Sequence, residues 1–159
     1  MKLSTAYISH ADCLKHEMGS GHPECPQRLA VIAAQMQASG LMDQLECHQA
    51  PLATFEQLVR VHTTDYIESV QQASPASGLI YLDPDTAMNP YSLNAALRAA
   101  GAVVLATELV MTHKVENAFC AVRPPGHHAE SGRAMGFCLF NNITVGVAHA
   151  LECYDLQRV

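Results

Sequence analysis

The sequence predicts an α/β fold, a mostly parallel sheet flanked by helices. Three observations carry that prediction. Short apolar runs near residues 3–9, 45–49 and 116–122 have the length of strands. Helix-length segments follow them, with apolar residues at helical spacing over 26–39 and 92–111. Strands and helices therefore alternate, with no internal repeat and no composition shift to mark a second domain.

Taken in order, residues 3–9 read as the first strand. Residues 10–25 form a polar loop holding Gly19, Gly21, His10, His16 and His22. Pro26 suits the first turn of a helix. Leu29, Ile32, Ala33 and Met36 give that helix one buried face, and Gly40 is placed to end it. Residues 45–49 suit a short strand. Thr54 is a good N-cap before a helix over 55–61, and a second helix continues through 61–67. Residues 71–89 are rich in Ser, Pro, Gly and Asp and read as a loop. Ser92 is placed to cap a long helix running to Met111, with Leu93, Ala96, Leu97, Ala100, Val104 and Leu105 as a wide apolar stripe. A buried strand over 116–122 follows. After the loop at 123–142 comes a helix over 143–151, and the last four residues, 156–159, read as the start of another strand.

The chain has 159 residues, 49% hydrophobic and 15% charged, which suits one domain with a real core and not a disordered segment. A net charge of −6 argues against a nucleic-acid surface, which needs a basic patch, and is compatible with a cationic substrate. The amino terminus has one positive charge and no long apolar run, so neither a signal peptide nor a membrane span is expected. Cys13, Cys25, Cys47, Cys120, Cys138 and Cys153 form no Cys-x-x-Cys pair, so no zinc knuckle or thioredoxin-type site is indicated. A reducing, cytoplasmic location is the expectation.

The chemistry concentrates in Arg123-Pro124-Pro125-Gly126-His127-His128-Ala129-Glu130 and in Gly136-Phe137-Cys138-Leu139-Phe140-Asn141-Asn142. Two adjacent histidines sit on a loop at the carboxy-terminal end of a strand, where open α/β sheets build their sites. The prolines fix φ and Gly126 frees the next position, so the loop is stiff and shaped. Histidine suits proton transfer near neutral pH. Asn141 and Asn142 are placed to cap the next helix.

These two motifs closely resemble the zinc-dependent histone deacetylase family. The match is to its class II-like branch, with the bacterial histone deacetylase-like amidohydrolases and acetylpolyamine amidohydrolases. His22-Pro23-Glu24-Cys25-Pro26-Gln27-Arg28 is a further match. The resemblance implies the amino-terminal part of the arginase/deacetylase-like fold and hydrolysis of acetyl-lysine or a similar acetylated amine. It makes His128 the main general base and acid, and His127 its more electrostatic partner, each oriented by an Asp on its far nitrogen. Gly136 and Phe137 would line the acyl-lysine tunnel; a core aromatic is the other reading of Phe137. Asp85 would hold the substrate at the rim, or else cap its own turn. Arg28 would line an internal channel, or else only pin its loop by charge-assisted hydrogen bonds. Cys138 is expected behind the site, and His62 is expected to be structural.

In the family the zinc ligands come from an Asp-x-His motif and a later Asp, and a transition-state Tyr also lies later. Residues 1–159 are therefore expected to be the amino-terminal portion of one deacetylase domain, ending before the zinc-ligand motif, with no metal ligands of their own. The isolated chain is expected to be inactive. It would dimerise, swap elements or pair with a missing carboxy-terminal segment. The alternative from a different class is a truncated, non-catalytic binding module.

Overall fold

The computed structural model describes residues 4–159. β1 (Thr5–Ser9) is the middle strand of a three-stranded sheet, with β2 (Glu46–Gln49) on one side and β5 (Asn117–Cys120) on the other. Both pairings are parallel, Ala6 lying opposite Glu46 and Ala118. Leu3, expected in the first strand, lies outside the described residues. Alternation along β1 sends its side chains to two layers. Ala6 and Ile8 face Ala102, Leu109 and Val115, while Tyr7 faces Cys13, Leu29 and Ala121.

Each layer is a helix laid on the sheet. α1 (Gln27–Ala38) covers the Tyr7 side. It buries Leu29 fully, with Ile32 and Met36 packed against the same cluster. α4 (Ser92–Met111) covers the other side and is itself covered by α5 (Asn142–Cys153). By length and mean hydropathy α4 could cross a bilayer, but its small-residue stripe is packed in the core. Ala95, Ala96, Ala99, Ala100 and Ala102 are all buried. The small residues let α4 come close to its neighbours. A Cβ on Gly101 would lie 2.1 Å from the Pro51 carbonyl oxygen.

Four expectations about elements need correction. The 71–89 loop contains a hairpin, β3 (Ile80–Asp83) and β4 (Thr86–Met88), paired antiparallel. Its strands are only four and three residues long, so the Gly, Ser and Asp around them hide the apolar signal. Ser92 does not cap α4. The cap position is Tyr91, and the Ser92 hydroxyl is taken instead by Asn89 and His16. The 55–67 segment holds the one-turn α2 (Phe55–Leu58) and then α3 (Thr64–Ala73), separated by an extended Thr63. Thr63 caps α3 by accepting the Tyr66 N–H through its side chain at 3.3 Å. Residues 156–159 form no strand.

Gly101→Ala should destabilise the chain by about 1–3 kcal/mol, because a backbone carbonyl cannot rotate away as a side chain can. Urea denaturation measures this. Wild-type stability in the variant would mean that α4 and the Pro51 segment can part without cost.

Candidate active site

The site is built on two loops held by one buried ion pair. Arg123, directly after β5, is fully buried, and Glu24 is 4% exposed. The Arg123 guanidinium grips Glu24 through two nitrogens, Nε lying 2.8 Å from Oε1 and 3.0 Å from Oε2, with Nη2 also donating to Oε2. Its Nη1 donates to the Cys13 carbonyl at 2.8 Å. Burial alone would raise the Glu24 carboxyl. The hydrogen bonds and charge of Arg123 outweigh burial and hold it below the usual carboxylate range. The pair ties the first loop to the base of the histidine loop.

His16 completes this polar core. Ser92 donates its single hydroxyl proton to Asn89 Oδ1, so His16 Nδ1 donates to Ser92 Oγ at 2.7 Å. Nε2 is left buried and unpaired, 3.9 Å from Glu24. Burial depresses the His16 pKa to about 4.

Above this base, Pro124 and Pro125 lead to Gly126, which needs its missing side chain for packing and not for φ. A Cβ there would lie 2.4 Å from Asn142 N and 2.6 Å from Phe140 O. His127 and His128 follow, both exposed, with ring centroids 4.3 Å apart. The expected aspartate partners are not supplied by the described residues. The histidines that face carboxylates there are His10, His16, His48 and His149.

Residues 133–138 return over His128 as a tight hairpin. Met135 and Cys138 exchange both backbone hydrogen bonds around Gly136 and Phe137, whose φ values are +58° and +69°. Two left-handed residues make the primed turn that matches strand twist. Gly136 accepts that geometry freely; Phe137 does not. Gly136 also packs flat on His128, since a Cβ there would lie 2.8 Å from the imidazole.

The hairpin tip is held by the turn between β3 and β4. Asp85 Oδ1 accepts the Gly136 N–H at 3.1 Å, and Thr86 Oγ1 accepts the Phe137 N–H at 3.1 Å. The turn itself is capped by Asp83, which accepts the Asp85 N–H. Asp85 thus reaches from the rim to the tip. The Cys138 thiol, raised by burial, donates to the Gly136 carbonyl at 3.2 Å beneath it. His22 stands edge-on to the Phe137 ring, centroids 4.6 Å apart.

Asp85, His128, Gly136 and Phe137 therefore meet at one place, with His127 beside them. Arg28 stands apart on α1. Its side chain is 45% exposed and bonds Glu24 at 3.1 Å, so loop pinning is its visible contact. Sequence reasoning missed Arg123, Thr86 and His22 as parts of the site. Arg123 was in plain view in the motif, and a charged residue between a buried strand and two prolines was the available signal. His22 opens the His22–Arg28 motif, but nothing local pointed to its contact with Phe137, and Thr86 had no local signal.

The histone deacetylase domain family matches residues 22–159. This chain belongs to that family. It is 33% identical over 172 residues to the polyamine deacetylase HDAC10 of Rattus norvegicus, covering 99% of this chain and 28% of that protein. It is 36% identical over 140 residues to the histone deacetylase-like amidohydrolase of Pseudomonas aeruginosa, covering 88% of this chain and 37% of that one. The crystal structure of the HDA15 HD domain superposes with a TM-score of 0.90 at 36% identity, over 96% of this chain and 44% of that one. The chain thus spans less than half of each of these relatives. The histones and polyamines in such names are properties of those proteins.

The fit of a deacetylase zinc can be tested on the donors present. Among the described residues no three His, Cys, Asp or Glu side chains gather where they could hold a metal ion. The histidines of the first loop separate: His10 caps a short turn, His16 bonds Ser92 and His22 faces Phe137. These residues by themselves do not make a metal centre.

Two outcomes are expected. At position 137 glycine should give a protein about 1 kcal/mol more stable than alanine, the reverse of the usual order, because φ there is left-handed. Chemical denaturation of both variants checks this, and a more stable alanine variant would contradict the turn. His16 is held neutral in the fold, so the unfolded chain takes up its proton first as pH falls. Its stability contribution is intact above its ordinary value of 6.5 and is lost as pH drops towards about 4, a loss of about 3 kcal/mol. Asn in place of His16 should flatten the dependence of stability on pH in that window.

Proposed function

We propose that this chain supplies the proton-transfer and substrate-contacting half of a zinc-dependent amidohydrolase. The enzyme would remove an acetyl group from acetyl-lysine or an acetylated polyamine. The observation that carries the reading is the seating of the Gly136–Phe137 tip on His128. It puts an exposed imidazole directly under a backbone turn whose second residue is Phe137. An acylated alkylamine needs those neighbours: an apolar wall for its methylene chain and a proton acceptor at its amide.

In this reading neutral His128 accepts a proton from the attacking water as its oxygen bonds the acetyl carbon. The proton then passes to the nitrogen as the C–N bond breaks, releasing acetate and a free amine. His127, its ring tilted 54° to that of His128 with centroids 4.3 Å apart, would be the more electrostatic partner of the pair. Asp85 fixes the tip by its bond to Gly136 and keeps a carboxylate at the rim, where it would also attract a cationic substrate. The zinc ligands would come from sequence carboxy-terminal to residue 159, since the residues present do not form a site. A reducing compartment such as the cytoplasm is part of the same proposal.

The test has two arms. The 159-residue polypeptide alone should hold far less than one zinc per chain and show no release of acetate from acetyl-lysine. A protein joining it to a carboxy-terminal segment that carries an Asp-x-His motif, a later Asp and a Tyr should hold one and turn over. In that protein His128→Ala should lower kcat by about 10²- to 10⁴-fold. Turnover by the 159-residue chain would refute the division of labour, and an unimpaired His128→Ala enzyme would refute the role of His128.

A further inference from the structure

We propose that His62 is a positioning residue for the His127–His128 loop, holding its two returning ends together from beneath. His62 follows α2 and is 2% exposed. Its Nε2 accepts the Asn141 backbone N–H at 2.9 Å. The Asn141 side chain in turn donates to the Ala129 carbonyl at 2.9 Å, one residue after His128. Thr63, next to His62, donates its N–H to the Ser131 carbonyl at 2.9 Å. The two residues 62 and 63 thus touch both arms of the closure, at 131 and at 141.

The chemistry fixes the state of the ring. A backbone N–H offers no lone pair, so Nε2 must be unprotonated and neutral His62 must carry its proton on Nδ1. That nitrogen is buried without a formed hydrogen bond and faces the backbone of Glu130 and Ser131. Burial holds the ring towards its neutral form. Packing fixes its plane: Tyr66 lies 5.3 Å and Phe140 5.6 Å away between ring centroids. Tyr66 also donates its hydroxyl to the Leu139 carbonyl at 2.6 Å, anchoring the strand of chain that leads to Asn141.

The function of such a clamp is angular. With Asn141 fixed, Ala129 is fixed, and the imidazole of His128 is held under Gly136. Its catalytic meaning rests on the deacetylase reading above, whereas the clamp itself can be read without turnover.

The experiment is histidine-ring NMR on the 159-residue chain. In the wild type, long-range proton–nitrogen spectra should show His62 as the Nδ1–H tautomer; the Nε2–H tautomer would overturn the proposal. Two variants then separate position from bulk. In His62→Gln the side-chain carbonyl reaches the place of Nε2, while in His62→Asn it falls short. His62→Asn should shift the ring resonances of His127 and His128 and remove the exchange protection of the Asn141 amide. His62→Gln should keep both near wild type. If His62→Asn leaves the His127 and His128 resonances in place, or if both variants disturb them equally, the acceptor is not what positions the loop. Wild-type clamp signals with no activity in a completed enzyme would instead count against the deacetylase reading alone.

Discussion

The ion pair between Arg123 and Glu24 is the constraint on which the rest depends. It joins residues 99 positions apart in sequence, and both partners are buried. Removing either one would leave a buried charge without its counterpart, which in proteins costs about 3–5 kcal/mol. The network extends to neighbouring groups: Arg123 Nη1 donates to the Cys13 carbonyl, and Glu24 accepts a further hydrogen bond from the half-exposed Arg28. The first loop, the end of β5 and the start of the histidine loop therefore form one unit.

On that rigid base sits a strained tip. A phenylalanine at positive φ is an expensive choice where asparagine or glycine would fit. The cost is borne because the tip is over-determined from three sides: Asp85 and Thr86 fix its amides, Cys138 its carbonyl, and Met135 with Cys138 its neck. The same arrangement leaves the His127 and His128 side chains solvent-exposed, with Gly136 packed against His128. Rigid support beneath two exposed imidazoles keeps the rings both fixed and accessible.

The family was legible early because its motifs are contiguous. His127, His128, Gly136 and Phe137 lie within eleven residues, and their loop is bounded by a strand and a helix that periodicity reveals. Asp85 was legible only through resemblance, since a lone aspartate beside a proline reads equally well as a turn cap. The structure divides those roles between neighbours, Asp83 capping the turn and Asp85 reaching Gly136.

By itself the sequence determined the parallel α/β class, the helices at α1, α4 and α5, and the place of His127 and His128 on a loop between a strand and a helix. These follow from local periodicity and from short motifs, whose information is carried within a few turns of chain. Only the tertiary structure decided that Ser92 serves His16 instead of capping α4, that a hairpin crosses the 71–89 segment, and that Gly136 is required by the His128 ring. It alone paired Arg123 with Glu24 and His62 with Asn141. Each of these is a long-range hydrogen bond or close approach. A side chain's hydrogen-bonding capacity can be read from its type, but its partner is chosen by the packing of distant segments.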